Sequence, residues 1–173
     1  MMRPVRHARP LLSTIARGVA AGAVGTLAMD AVWYARYRRG GGQSRFPEWE
    51  VTTEVASWEQ APAPGQMGRK LLELMAGREV PVERAPAISN TMHWAYGSSW
   101  TAAYGALVPR RPWWAGPAFG ALVWSSGYVV LPLAGIYEPI WRYDVTTLAK
   151  DLSAHLVFGT AADGALRVLL RGT

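Results

Sequence analysis

Hydrophobic positions in this chain gather into four long stretches, residues 15–37, 89–108, 113–133 and 151–170, and a polar segment, 40–87, separates the first from the second. Crossing the hydrocarbon of a bilayer takes about 20 mostly apolar residues in a helix, and all four stretches are of that length. None is a leucine run. "IARGVAAGAVGTLAMDAVWYARY", "SNTMHWAYGSSWTAAYGALV", "WWAGPAFGALVWSSGYVVLPL" and "DLSAHLVFGTAADGALRVLL" are all rich in Gly, Ala, Ser and Thr. In water each interior glycine weakens a helix by about 1 kcal/mol relative to alanine. In lipid the backbone must bond to itself in any case, and small residues let neighbouring helices approach. Gly18 and Gly22, and again Gly116 and Gly120, have the small-xxx-small spacing for such contact. The pattern predicts an all-α fold: a polytopic membrane four-helix bundle formed by one domain, 1–173, with a short helical insertion between spans one and two.

The insertion reads differently. After the flexible "GGGQS", Pro47 with Glu48 and Glu50 suits the first turn of a short helix reaching Glu59. "APAPG" breaks the chain, and "QMGRKLLELMAG" then sets Met67, Leu71, Leu74 and Met75 on one face, with Gly77 as the stop. The helix is expected to be a cover packed on the bundle or to lie at the membrane interface, in preference to forming a partner-binding groove.

Composition sharpens the membrane reading. Half of the 173 residues are hydrophobic and only 17% are charged, while nine are tryptophan. Trp33, Tyr34, Tyr37, Trp94, Tyr96, Trp113, Trp114 and Trp141 fall near span ends, the depth of an aromatic belt. The basic start "MMRPVRHARP" precedes a span too long for a signal peptide, so none is expected. The net charge of +6 comes largely from arginines at span ends, which suits lipid headgroups and leaves no basic stripe for nucleic acid. Placing both termini in the cytoplasm puts Arg110, Arg111, Arg167 and Arg171 inside, as the positive-inside rule asks; Arg36, Arg38 and Arg39 stand against it. The expected address is the inner membrane, with the bilayer, other membrane subunits or further copies of the chain as partners. There is no cysteine, and GxSxG, HExxH and phosphate-loop patterns are missing, so no enzymatic activity is expected.

Two phrases repeat: "HWAYGS" from His93 and "HLVFGT" from His155. Aligning them pairs Gly97 with Gly159 and predicts two related helical hairpins, spans one with two and three with four, with both histidines at one depth. Ionisable groups inside a bilayer ask for a reason, and Asp30, His93, His155 and Asp163 are the candidates. The simplest is interhelical hydrogen bonding, with Gly97 and Gly159 admitting the neighbouring helix. A second is a small transporter or proton-conducting element, with a proton path or small-ligand pocket built from Asp30, His93 and His155, because histidine titrates near neutral pH. A third makes His93 and His155 axial ligands of a b-type haem; otherwise no cofactor or metal is expected. Asp163 and Arg167, one turn apart, are expected to neutralise each other.

The motifs "RGVAAGAVGTLAMD", "GRKLLELMAGREVP", "HWAYGSSWTAAYGAL" and "SAHLVFGTAADGAL" resemble the YagU-like family of small bacterial inner-membrane proteins. The resemblance implies a protein of about four spans and no catalytic residues.

Overall fold

The computed structural model describes residues 11–52, 55–108 and 110–171. Its six helices are α1 (Leu11–Arg39), α2 (Phe46–Val51), α3 (Ala63–Ala76), α4 (Ala85–Leu107), α5 (Ala115–Leu133) and α6 (Val145–Arg171), with no strand among the described residues. The four apolar stretches are thus the four long helices. α6 begins six residues ahead of the expected span because Asp144 caps it: its carboxylate accepts from the Thr147 backbone N–H at 2.9 Å and the Thr147 hydroxyl at 2.6 Å.

The span expectation holds in a coarser form. α1 and α5 are long and apolar enough to cross a membrane. α4 and α6 are also long helices, but neither is apolar enough over a membrane-spanning length to join these two. In α1 and α5 only 28% and 22% of the most apolar window is buried inside the protein. Their larger aliphatic side chains, such as Val24 and Leu27 of α1 and Leu122, Val129 and Leu133 of α5, point outward.

Small residues make the contacts between helices. α1 packs on α4, where a Cβ on Gly22 would lie 2.5 Å from Ser98 Cα and one on Gly18 would strike Ala102. α1 also packs on α6, with Gly25 against Phe158 and Ala162. Gly116 and Gly120 of α5 meet Gly159, Thr160 and the His155–Leu156 backbone of α6. Gly97 faces Thr26 and Phe158. The core beside these contacts holds Phe119, Phe158, Val123 and Leu166, and Tyr104 stacks on Phe119 with centroids 4.3 Å apart.

The pairing of α1 with α4 and of α5 with α6 gives the two expected hairpins, joined along α1 and α6. Their equivalence is weaker than the repeat implies. α6 sits between two long helices, whereas α4 lies on the flank of α1, so the two phrases occupy different positions.

In the insertion the extent of α2 differs from expectation, whereas α3 packs on one of the long helices as expected of a cover, though by an unexpected side. α2 ends at Val51, with Thr52 extended, instead of reaching Glu59; the β-branched run from Val51 to Thr53 disfavours a longer helix. α3 rests on α4 through Gly65 and Gly68, against Ser89, Ile88 and Met92, rather than through its apolar face. Leu71, Leu74 and Met75 stay exposed because the glycine side allows the closer approach. Gly77 ends α3 in the left-handed conformation, φ 63°, as the stop signal requires. A small second core around Trp58, Ala61 and Ala85 fastens the insertion, and the Trp58 indole donates to the Val80 carbonyl at 2.9 Å.

Candidate functional site

Antiparallel packing of α1 on α4, set by Gly18, Gly22 and Gly97, brings Asp30 level with His93. The Asp30 carboxylate is 4% exposed, and its Oδ1 lies 2.8 Å from His93 Nε2. Its other oxygen, Oδ2, is buried without a hydrogen-bond partner. A buried carboxylate oxygen is costly to leave unpaired, so Oδ2 has acceptor capacity for a proton or a polar hydrogen. His93 is partly open to the outside, its side chain 28% exposed. The pair therefore has a closed end on α1 and an open end on α4.

A third group joins it from outside the four long helices. The Glu50 carboxylate accepts from the Trp94 indole N–H at 2.8 Å and from the Asn90 amide at 3.3 Å. Burial pushes the Glu50 carboxyl above the ordinary carboxylate value; the Trp94 hydrogen bond opposes this, the Asp30 charge adds to it, and the His93 charge opposes it. α2 is held for this purpose by a ring cluster in which Phe46 and Trp49 stand 5.2 and 5.5 Å from Tyr34 of α1.

His155 does not join them. Its Nδ1 faces the Asp151 carbonyl at 3.0 Å and the Asp151 carboxylate at 3.2 Å, within one turn of its own helix. Gly97 meets the Phe158 ring, so the two aligned phrases touch where α4 and α6 pass each other. The two histidines do not share a partner. A bis-histidine haem loses support on this geometry, because His93 commits its Nε2 to Asp30. Among the described residues no three His, Asp or Glu side chains gather closely enough to hold a metal ion.

Asp163 forms a separate centre at the opposite end of the bundle. Arg167 donates to it at 2.7 Å, as the sequence spacing predicts, but the Tyr104 hydroxyl at 2.9 Å and Arg111 at 3.8 Å also converge on it. Arg167 reaches further, to the Pro112 carbonyl at 2.7 Å. This cluster ties the α4–α5 turn to α6.

Glu50, Tyr104 and Arg111 were outside the sequence-derived set. Asn90 and Trp94 carried a usable signal: two N–H donors one turn apart, on a helix that offers them no acceptor, ask for a carboxylate from elsewhere. Comparison with protein families, characterised proteins and solved structures brings no match.

The Glu50 shift has a measurable sign. An acid whose folded pKa exceeds its unfolded value favours the native state most below the unfolded value, and that contribution is lost as pH rises through the folded one. Glu50→Gln keeps an acceptor for Trp94 and Asn90 but cannot ionise. We expect the variant to be somewhat more stable than the parent at neutral pH, with the difference vanishing below the ordinary value of 4.5. Thermal unfolding of both proteins across that range measures it, and a difference that instead grows in acid contradicts the assignment.

Proposed function

We propose that this chain is a non-enzymatic integral protein of the inner membrane whose four long helices all span, with both termini cytoplasmic. It acts as a structural or accessory subunit or as a small homo-oligomer, consistent with the resemblance to YagU-like proteins. The carrying observation is the distribution of polarity: aliphatic side chains of α1 and α5 face outward, while Thr26, Asp30, Ser89, Thr101 and Asp163 are buried. In water such an exposed apolar surface is a liability, whereas in lipid it is solvated, and the buried Asp30 and Asp163 find partners on a neighbouring helix in His93 and Tyr104. Exposed Trp113 and Trp114 at one end of the bundle and Trp141 at the other suit two belts. Extraction of membranes with alkaline carbonate tests the reading: the chain stays with the pellet, and its full release into the supernatant would refute the proposal.

The second reading is a proton-carrying element, favoured by the buried Asp30 carboxylate 2.8 Å from a partly open imidazole. On this reading the path uses Asp30 and His93, with Glu50 at its mouth in place of His155. Two measurements separate it from a purely structural pair. If the pair only joins helices, His93→Ala lowers thermal stability in detergent and proteoliposomes hold a pH gradient as well as lipid alone. If it carries protons, the gradient decays faster with the parent protein than with Asp30→Asn.

A further inference from the structure

The loop between α5 and α6, "YEPIWRYD", folds two of its tyrosines back onto the end of α5. Tyr128, Tyr137 and Tyr143 form a triangle with ring centroids 5.5, 5.5 and 5.9 Å apart and planes inclined by 51–84°. Together with Trp33 of α1 and Lys150 and Asp151 of α6 they line an open cavity of about 340 Å³. That volume lies at the small end of ligand sites.

A wall rich in aromatic rings can attract a cation through any π face it leaves open, and the attraction grows where water is displaced. Trp33 already takes one cation in this way, the Arg36 guanidinium 4.7 Å from its ring centroid. The Asp151 carboxylate stands in the same wall, 3.2 Å from His155 Nδ1. Burial pushes the Tyr137 hydroxyl up to about 12, so that ring is neutral at physiological pH and Asp151 supplies the negative charge of the wall. Lys150 carries a positive charge at the same site, which disfavours a bare cation and favours a ligand with an anion next to its cation.

We propose that this cup binds the ammonium group of an organic zwitterion, the cation against the tyrosines, Trp33 and Asp151 and the neighbouring anion toward Lys150. Two sources have this chemistry, the headgroup of an ammonium phospholipid and a free ammonium-phosphate solute. The site rests on the cup alone and does not depend on the membrane reading.

The test is calorimetric titration of the full chain in a maltoside detergent with phosphocholine, with 3,3-dimethylbutyl phosphate, which keeps the shape and the anion but lacks the cation, and with a short-chain phosphatidylcholine. Saturable binding of phosphocholine or the phosphatidylcholine is expected, and about tenfold weaker binding of the isostere that lacks the cation. Tyr143→Leu and Asp151→Asn each weaken binding by a similar factor, while Tyr143→Phe, which keeps the ring, retains it. Tighter binding of the phosphatidylcholine assigns the lipid headgroup as the source; equal binding assigns the free solute. The proposal is overturned if neither charged probe binds or if the isostere binds as well as phosphocholine. Because the isostere comparison needs no substitution, it decides the matter even if a loop variant fails to fold.

Discussion

Gly120→Val should separate α5 from α6 and destabilise the bundle by about 3 kcal/mol or more, the upper end of what overpacking costs. The reason lies in what a side chain would meet. A Cβ at Gly120 strikes the His155 carbonyl and comes within 3.0 Å of Leu156 Cα, both backbone atoms. Gly159 makes the reciprocal contact, where a Cβ would lie 2.7 Å from Gly120 Cα. Flexible side chains can turn aside, but two helical backbones can only move apart, and doing so strips Phe119 and Val123 from the core. Gly164→Ala is the matched control. Nothing lies within 4 Å of that position, so the added methyl meets open space and the helix gains up to about 1 kcal/mol in propensity. Thermal unfolding in detergent should therefore move in opposite directions for the two variants. A Gly120→Val protein as stable as the parent would mean that the α5–α6 contact is not the close one described.

Asp163→Ala should cost about 3–5 kcal/mol, the range for breaking a buried ion pair by removing one partner. Asp163 is 4% exposed, and the Arg111 side chain that faces it is 9% exposed with one guanidinium nitrogen, Nη1, already lacking a hydrogen-bond partner. Loss of the carboxylate strands that charge and leaves the Tyr104 hydroxyl without its acceptor. The loss exceeds that expected at the Asp30–His93 pair, because His93 can recover hydration through its open side whereas Arg111 cannot. Adding Arg111→Met to Asp163→Ala should restore part of the stability, since the stranded charge is then gone. A double variant no better than the single one would show that Arg167 and Tyr104, rather than Arg111, carry the effect.

Much of this was legible in the chain itself. The four long helices follow from four runs of apolar and small residues, and the end of α3 at Gly77 from a glycine after an amphipathic stretch. Gly18, Gly22, Gly97, Gly116, Gly120 and Gly159 lie at helix contacts because spacing of four repeats one face of a helix. The Asp163–Arg167 pair is of the same local kind. α3 shows the limit of such reasoning: its apolar face was plain, yet the helix docked by its glycines, because closeness of approach outweighed the area of a face that stays exposed.

What the sequence by itself determined were the features whose partners lie within a turn or two: helix existence, the glycine stop of α3, small-residue faces and intrahelical pairs. Only the tertiary structure decided which distant groups meet. Asp30 with His93, Glu50 with Trp94, Arg111 and Tyr104 with Asp163, and Arg36 with the Lys150 carbonyl and the Ser153 hydroxyl are all separated by dozens of residues. The physical reason is register. A spacing in the chain fixes the angle of a side chain around its own helix, but its partner depends on how far one helix slides along another, and here that slide is set by where glycines let two backbones touch.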